Sequence, residues 1–433
     1  MTIDLERLSQ TLTAENTVRI QGRVRGVVGL ALHIELPDAR VGELIEITRQ
    51  KRPPLQAEIV GFDARGVTAL PLGAADGIGP DDIVTARGAP LSIRVGRELL
   101  GRVLNGLGEP IDGGPTLEGE SLPVVRHAPP ALTRRRIDRV LPLGVRALDA
   151  FSTIGEGQRV GLFSAAGVGK STLLGQVARS TAADVVVLCL IGERGRELGD
   201  FLSDHLPEST RARSVVVCAT SDAPAMVRMK CPFVATTIAE YFRDRGQRVL
   251  LLVDSVTRFA RAGREVGLAA GEAPARRGYP PSAFAALPGL LERAGAAESG
   301  SITAIYSVLV EGDDLDEPVS DELRGLLDGH VVLSRKLAAR GQHPAVDVGQ
   351  SLSRLMPRLV SPQHLAAAEL ARTHLALYEE KRDLILLGAY RAGSDPRTDA
   401  AIARVPEIEA FLSQRVGERA DYDETSATLQ MLV

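Results

Sequence analysis

The sequence predicts an α/β protein with a small N-terminal β-barrel, a central parallel-sheet domain built around a phosphate loop, and a C-terminal helical domain. Short β-rich runs separated by Gly, Pro and Asp predict the barrel. Apolar runs without alternation, separated by helical segments, predict a parallel sheet covered on both faces. Apolar residues at helical spacing predict the helical end of the chain. The predicted segments are a tail or docking helix at 1–16, the barrel at 17–90, the sheet domain at 91–361 and the helical domain at 362–433.

Composition and charge narrow the classes of function. The chain has 433 residues, of which 44% are hydrophobic and 24% charged, as is usual for soluble proteins of several domains. Its net charge of −4, its 3% aromatic content and its lack of Trp argue against a dedicated nucleic-acid binder. The first residues are acidic where a secretory signal is basic and then apolar, and no apolar run approaches the length of a membrane span. We therefore expect a cytoplasmic protein, and we expect its three cysteines to be buried thiols.

Three segments precede the predicted sheet domain. Residues 1–16 place apolar side chains loosely on one side of a helix, which fits a frayed tail and a docking helix equally well. The barrel carries no pattern typical of catalysis, so we interpret it as an oligomerisation domain, with an oligosaccharide- or nucleic-acid-binding barrel as the alternative. An irregular connector follows, and its basic run at 134–136 fits a solvated loop better than a partner-facing one.

The most informative stretch is RVGLFSAAGVGKSTLLG at 159–175, which predicts a strand, a phosphate loop and a helix. The glycines allow backbone N–H groups to close around a polyphosphate, and the helix N-terminus adds partial positive charge. Lys170 would then reach the β- and γ-phosphates, and the Ser171 hydroxyl would bind Mg²⁺. Ser164 departs from the motif G-x-x-x-x-G-K-[ST], which has Gly at that position. The predicted nucleotide contacts of the loop are Ala166, Gly167, Val168, Gly169, Lys170, Ser171 and Thr172.

Two other strand ends supply carboxylates. The run RVLLLVD ends in Asp254, where phosphate-loop proteins place a carboxylate toward the Mg²⁺ shell. The segment LIGERGREL places Glu193 and Arg194 just beyond an apolar strand, where a carboxylate can orient and polarise the water that attacks the γ-phosphate. An exposed charge cluster in a loop would have the same sequence pattern. Ligands of parallel sheets bind beyond the carboxyl ends of the strands, which is also where the phosphate loop falls.

Longer segments resemble those of a known family. The chain is similar to the hexameric ATPases related to rotary ATP synthases, and within them to the type III protein export ATPases. The segments that carry the resemblance are GRVLNGLGEPIDG, GEGQRVGLFSAAGVGKSTLL, LIGERGREL, TTIAEYFRDRGQRVLLLVDSVTRFARAGREVGLAAGE, RRGYPPSAFAALPGLLERAG, VLVEGDDLDEPVSDELRGLLDGHVVLSRKLAARGQHPAVDVGQSLSRLMP and KRDLILLGAYRAGSDP. The resemblance implies Mg²⁺-dependent ATP hydrolysis by a homohexameric ring that energises protein export, through chaperone release, unfolding or loading of substrates.

The resemblance also implies roles for individual residues. Lys170 and Ser171 match the phosphate-loop Lys and the Mg²⁺-binding hydroxyl, and Glu193 matches the catalytic carboxylate. Arg354 matches the arginine finger that one subunit inserts into the site of its neighbour, so hydrolysis is expected to require assembly. The remaining matches are Arg194 and Glu197, which belong to the motif of the catalytic carboxylate, Asp254, which lies near Mg²⁺, and Arg258, which lies close to the γ-phosphate.

The sequence departs from the family at the adenine end of the site. Relatives usually have a Tyr that packs on the adenine ring where this chain has His343, and an imidazole stacks over a smaller area. Tyr422 is the candidate for the second wall of the adenine pocket. Ser164 is a smaller departure, because close relatives also lack Gly at that position.

Several branches of the family remain open. The segment DEPVSDELRGLLDGHVVLSRKLA favours a virulence-type injectisome over the flagellar export apparatus. A rotary ATP synthase subunit, catalytic or non-catalytic, is a further alternative, and the presence of Glu193 argues against the non-catalytic one. A hexameric RNA translocase would need aromatic side chains in its barrel, where this chain offers only Phe62.

The resemblance implies a set of partners. They are ATP, further copies of the chain, a central stalk protein, a stator or regulatory protein at the N-terminus, the export gate and chaperone–substrate complexes, with no nucleic acid. The implied location is the cytoplasmic face of the inner membrane, peripheral and not inserted. We expect a Gly/Ala-rich, charged loop at 263–281 to face the central channel or the stalk, with an ordinary solvated loop as the alternative.

Overall fold

The computed structural model describes residues 19–310, 314 and 316–433, so the helix predicted at 1–16 lies outside the described residues. The first domain is a closed antiparallel barrel with the strand order β1-β2-β5-β4-β3-β6, as predicted. Its strands are β1 (Gln21–Val28), β2 (Ala31–Glu35), β3 (Glu43–Ile47), β4 (Leu55–Asp63), β5 (Gly66–Pro71) and β6 (Ile83–Pro90). Alternate side chains of these strands, such as Leu32, Ile45 and Ile59, fill the barrel interior.

The connector between the barrel and the sheet domain is more regular than the sequence suggested. β7 (Ser92–Val95) and β9 (Glu120–Pro123) form an antiparallel pair, and β8 (Val103–Asn105) adds a parallel strand to one edge of the main sheet. The basic run is not a simple solvated loop. The half-buried Arg134 donates hydrogen bonds to the carbonyls of Glu292 and Ala294, and Arg135 donates one to the carbonyl of Ala297.

The central domain is built on a mostly parallel sheet, which confirms the predicted fold class. Its further strands are β10 (Arg159–Ser164), β11 (Val185–Glu193), β12 (Ser214–Thr220), β13 (Arg248–Asp254), β14 (Gly295–Ala296), β15 (Ser301–Leu309), β16 (Gly329–Leu333) and β17 (Leu352–Ser353). The order across the sheet is β17-β16-β10-β15-β13-β11-β12-β8, with β14 beside β15. Only β14 and β17 run antiparallel to their neighbours among the described strands of this sheet.

Helices cover both faces of this sheet. They are α1 (Arg146–Phe151), α2 (Lys170–Ser180), α3 (Gly195–Asp204), α4 (Glu208–Arg211), α5 (Ala225–Arg243), α6 (Val256–Ala269), α7 (Pro281–Leu291), α8 (Pro318–Leu326), α9 (Arg335–Ala339) and α10 (Met356–Leu359). Successive residues of β11 enter different cores: Val185 and Val187 pack on one face, Val186 and Leu188 on the other. This double burial explains why the strands are continuous apolar runs.

The C-terminal domain is helical, as predicted. Its helices are α11 (Pro362–Leu386), α12 (Pro396–Leu412) and α13 (Tyr422–Met431), and α13 packs against both α11 and α1. The hydroxyl of Ser361 caps α11 and the carboxylate of Asp395 caps α12, each just before a Pro at the first position. Within the described part of the chain, no helix is both long enough and apolar enough to span a membrane.

The prediction of a loop at 263–281 is wrong for the first part of that range. Helix α6 continues to Ala269, because its apolar face packs against the sheet and extends past Gly263. The remainder is irregular up to α7. In that remainder Arg276 pairs with Asp321 at 3.0 Å and Arg277 pairs with Asp314 at 3.4 Å, so both guanidinium groups have acidic partners.

Candidate active site

The phosphate loop lies between the end of β10 and the start of α2. Gly167 and Gly169 have φ values of 77° and 88°, a left-handed conformation that glycine adopts without strain. Helix α2 begins at Lys170, directly after Gly169, so the first N–H groups of the helix are available to a ligand in the loop. Ala166 and Gly167 are exposed. The loop is therefore shaped for a polyphosphate and open to it.

Ser164 fits the loop despite its departure from the motif. Its φ is not positive, so the backbone at this position does not require glycine. The residue is the last of β10, its carbonyl accepts a hydrogen bond of 2.9 Å from the N–H of Val310, and only 2% of it is exposed. The left-handed turns of the loop begin three residues later, at Gly167, and that is where the glycines stand.

Lys170 and Asp254 form a largely buried ion pair at the centre of the site. The Lys170 Nζ contacts Oδ1 of Asp254, and Asp254 is the last residue of β13. The Asp254 side chain is only 5% exposed, so the ammonium group compensates for the lost solvation of the carboxylate. A second partner, the hydroxyl of Ser307, lies 2.5 Å from the same oxygen. The structure thus brings together the phosphate-loop Lys and the strand-end Asp that the sequence predicted separately.

Glu193 ends β11 beside this pair, so the strand extends three residues beyond the apolar run. The Nε of Arg258, in the first turn of α6, lies 3.3 Å from Glu193 Oε1. Burial of Glu193, and then the negative charge of Asp254, raise the pKa of Glu193 to about 7, although Lys170 and Arg258 oppose the shift. A carboxyl with a pKa near neutrality is suited to general base chemistry.

Gly192 is required for this arrangement. It has a φ of 66°, and a Cβ built on it would lie 2.7 Å from Cδ of Arg258. A side chain at this position would therefore push Arg258 away from Glu193. The left-handed conformation of Gly192 therefore allows Glu193, at the end of β11, to contact Arg258 in the first turn of α6.

Arg194 is an exposed residue at the N-terminus of α3. Its side chain is 77% exposed and pairs with Glu197 at 3.3 Å, within the first turn of α3. Glu197 also shares a hydrogen bond with Glu193, which contributes to the raised pKa of Glu193. Of the charged residues in this motif, Glu193 therefore lies at the candidate active site. Arg194 and Glu197 lie at the surface, at the N-terminus of α3.

The residues present fit a Mg²⁺ ion bound together with a nucleotide. Mg²⁺ prefers oxygen ligands and is usually held by one or two protein groups, phosphates and water. Ser171 is exposed at the start of α2, and Asp254 is the nearby carboxylate. No cluster of three or more His, Cys, Asp or Glu side chains suited to a metal occurs among the described residues. The donor set therefore fits a metal that arrives with phosphate oxygens, for which Ser171 and Asp254 would supply the protein ligands.

Arg354 lies at the amino ends of the parallel strands, whereas the phosphate loop lies at their carboxyl ends. It follows β17, and its N–H donates to the carbonyl of Asp328 at 3.0 Å. Asp328 in turn pairs with Arg159, the first residue of β10. Among the described residues, the guanidinium of the exposed Arg354 donates a hydrogen bond to the carbonyl of Arg324, at 3.1 Å, and to no other group. The structure therefore does not bring Arg354 together with Lys170 and Glu193 of the same copy.

The two adenine-pocket candidates lie in separate environments. The carbonyl of His343 accepts a hydrogen bond of 2.7 Å from the N–H of Gln414, and burial lowers the pKa of the His343 imidazole. Tyr422 begins α13, where its ring centroid lies 6.2 Å from that of His364. In the described part of the chain, no ring contact joins His343 to Tyr422. Their role as adenine walls remains a prediction.

Sequence reasoning missed Ser307. It lies near the end of the apolar strand β15, and a small polar residue in such a run has no distinctive spacing. Its signal is the register: Val253 pairs with Tyr306, so the next position along each strand is Asp254 and Ser307. That register becomes visible only when β13 and β15 are known to be neighbours.

Two protein-family models match long stretches of the chain. A model of the nucleotide-binding domain of the ATP synthase alpha/beta family matches residues 144–353. A model of the T3SS EscN ATPase C-terminal domain matches residues 360–431. Together they span the sheet domain from α1 onward and the helical domain.

Curated relatives cover nearly the whole chain. A type 3 secretion system ATPase of Sinorhizobium fredii is 48% identical over 99% of this chain and 95% of its own length. A flagellum-specific ATP synthase of Treponema pallidum is 49% identical over 97% of this chain and 95% of its own length. Both branches of the export family are therefore similar to this chain.

Solved structures agree as well. The assembled ATPase EscN from the enteropathogenic E. coli type III secretion system superimposes with a TM-score of 0.90 at 44% identity, covering 95% of this chain and 99% of EscN. The same ATPase in complex with its central stalk EscO gives a TM-score of 0.88 at 44% identity, with the same coverage of both chains.

Proposed function

The chain is an ATPase that belongs to the type III export branch of the ATP synthase α/β family, and we propose that it acts as a homohexameric ring in which Arg354 of each copy completes the active site of the next. Hydrolysis of ATP energises type III protein export. The single observation that carries the ring proposal is the position of Arg354 at the amino end of the sheet, while the phosphate loop lies at the carboxyl end.

The separation of these two edges can be estimated from β10. The strand runs from Arg159, which is bonded to Asp328 beside Arg354, to Ser164, which opens the phosphate loop. Five residue steps at about 3.3 Å each separate the two ends by about 17 Å. An arginine side chain is much shorter than this distance. The guanidinium therefore reaches a γ-phosphate only if that phosphate belongs to another copy.

Within one copy, each charged group of the site has a separate role in binding the phosphates or activating the water. Lys170 leaves its ion pair with Asp254 to bind the β- and γ-phosphates, and the N–H groups of the loop surround them. Glu193 accepts a proton from the attacking water or orients it, and Arg258 holds the Glu193 carboxylate. A bound Mg²⁺, held by Ser171 and Asp254, would neutralise charge on the phosphates. Arg354 of the neighbour stabilises the charge that builds up in the transition state.

We favour a virulence-type injectisome as the export machine. The segment at 316–338 supports this choice, and so do the several type 3 secretion system ATPases among the relatives at 48–50% identity. The flagellar export apparatus is the second candidate, because flagellum-specific relatives reach 49% identity. The rotary ATP synthase alternative has less support, since the C-terminal model that matches is the one of the secretion ATPase.

The proposed partners follow from the family. They are a central stalk protein within the ring, a stator or regulatory protein at the N-terminus, the export gate and chaperone–substrate complexes. A central stalk has a direct parallel in the EscN–EscO complex. We propose a peripheral position at the cytoplasmic face of the inner membrane.

The experiment that tests the ring proposal mixes two inactive variants. Glu193→Gln keeps the finger and loses the carboxylate, whereas Arg354→Ala keeps the carboxylate and loses the finger. In a mixed ring, an intact Arg354 can meet an intact Glu193, so ATPase activity is expected to reappear on mixing. The wild-type rate per subunit is also expected to rise with protein concentration.

Two controls accompany the mixing experiment. Each variant is mixed with itself at the same total concentration, which fixes the background rate. Mixed rings are demonstrated by differently labelled subunits. Mixed rings without recovered hydrolysis would contradict catalysis by a finger supplied in trans.

A further inference from the structure

Ser307 is a fully buried polar residue inside an otherwise apolar strand. It lies near the carboxyl end of β15, with 0% of the residue exposed. Its Oγ is 2.5 Å from Oδ1 of Asp254, the same oxygen that Lys170 contacts. The described structure gives Ser307 no other hydrogen bond through its side chain. Its hydroxyl is therefore committed to one carboxylate oxygen of the candidate active site.

The direction of this hydrogen bond follows from the ion pair. Lys170 has only donor hydrogens on its ammonium group, so Oδ1 of Asp254 accepts in that contact. The Ser307 O–H must therefore donate its proton to Asp254. A hydrogen bond to an ionised group is stronger and more directional than one between neutral groups.

The two partners of Asp254 differ in mobility. Lys170 has a long side chain at the start of α2, and a bound polyphosphate would compete with Asp254 for its ammonium group. Ser307 has a single side-chain torsion and lies in a strand with β10 on one side and β13 on the other. When Lys170 turns to the phosphates, Ser307 stays beside Asp254.

We propose that Ser307 is a positioning residue that holds Oδ1 of Asp254 and so fixes the orientation in which the carboxylate meets the metal of the bound nucleotide. The proposal rests on the proposed function, because it assumes a nucleotide-bound metal at Asp254. Without the Ser307 hydroxyl, Asp254 would lose its remaining fixed partner once Lys170 has left. The carboxylate would then rotate among orientations, only some of which face the metal.

The test measures nucleotide binding and needs no hydrolysis. A fluorescent ADP analogue is titrated into the full-length chain, once with excess Mg²⁺ and once with EDTA. The ratio of the two affinities gives the gain from the metal. Ser307→Ala is expected to reduce that gain about tenfold, the range expected for a lost hydrogen bond to a charged group, and to leave the affinity in EDTA nearly unchanged.

Matched variants separate positioning from general damage to the strand. Ser301→Ala removes a hydroxyl that is equally buried at the other end of β15, and it is expected to keep the wild-type gain from Mg²⁺. Ser307→Thr restores the hydroxyl and is expected to recover most of the gain. If Ser307→Ala does not fold, Ser307→Cys decides, because a thiol preserves the volume but is a weak donor and should also lower the gain.

Each outcome has a distinct meaning. An unchanged gain from Mg²⁺ in folded Ser307→Ala or Ser307→Cys would overturn the positioning role. A wild-type protein with no gain from Mg²⁺ would instead overturn the metal assignment in the proposed function. Recovery of hydrolysis by mixing the Arg354 and Glu193 variants does not depend on Ser307, so the ring proposal is judged separately.

Discussion

The central sheet has charged side chains both at the edge where its parallel strands end, the carboxyl edge, and at the edge where they begin, the amino edge. The same kinds of side chain have different partners at these two edges. At the carboxyl edge, Lys170 pairs with Asp254 and Arg258 pairs with Glu193, so cations and carboxylates compensate one another within one copy. At the amino edge, Arg354 is exposed, and its guanidinium donates a hydrogen bond to a backbone carbonyl and pairs with no carboxylate of the described residues. At the first edge the charges compensate one another, and at the second edge the cation of Arg354 is exposed.

This difference indicates where the site of one copy ends. Buried charges require partners, so the groups at the carboxyl edge are held by one another and are ready for a ligand. An exposed arginine keeps its solvation, so it needs no partner within the chain and is available to a group from outside it. Under the proposed function, each protomer would contribute half of a site at each of the two edges, which is the arrangement needed for a closed ring with identical contacts.

The largest expected effect concerns the amino edge. Arg354→Ala is expected to lower the turnover number by a factor of about 10³ to 10⁵, the range found for arginine fingers that act on a transferred phosphoryl group. Steady-state hydrolysis measured at concentrations that support assembly checks this. Arg358→Ala is the matched control, because Arg358 is also exposed and lies one turn further on in α10, and it should stay close to the wild-type rate. Equal losses in both variants would remove the distinction between the edges.

An intermediate effect concerns the carboxyl edge. The pKa of Glu193 is raised to about 7, so the carboxyl becomes protonated as the pH falls below 7 and can no longer accept a proton. We expect kcat/KM to fall about tenfold for each pH unit below that value. Arg258→Ala should move this acid limb to higher pH, since Arg258 opposes the raised pKa. The residual activity of Glu193→Gln should lack the limb, and a limb that persisted there would assign it to another group.

The smallest expected effect concerns the adenine end. His343→Tyr is expected to tighten ATP binding by about 2- to 10-fold, because a phenol ring stacks over a larger area than an imidazole. Equilibrium binding of ATP checks this, with pyrophosphate as the matched ligand that lacks the adenine. A gain for both ligands, or for neither, would remove His343 from the adenine pocket.

Much of the carboxyl edge is predictable from sequence because its parts are local. Gly167 and Gly169 act through their own backbone torsions, and Lys170 is placed by the helix that begins there. Glu193 and Asp254 each follow an apolar run, and parallel strands end at a common edge. Segment patterns of this kind also sufficed for the barrel, the parallel sheet and the helical domain. The role of Arg354 came from resemblance to a family, since one exposed Arg after a short strand has no local signature.

Tertiary structure alone decided the contacts between segments that are distant in the chain. Ser307 meets Asp254 only because β13 and β15 are neighbours in register, and Arg258 meets Glu193 only because Gly192 leaves room for it. The raised pKa of Glu193 likewise depends on burial and on the charge of Asp254, both created by folding. Local torsions and periodicity are properties of short segments, so the sequence determines them. Desolvation and charge pairing are properties of assembled neighbours, so they exist only after the strands have found their order.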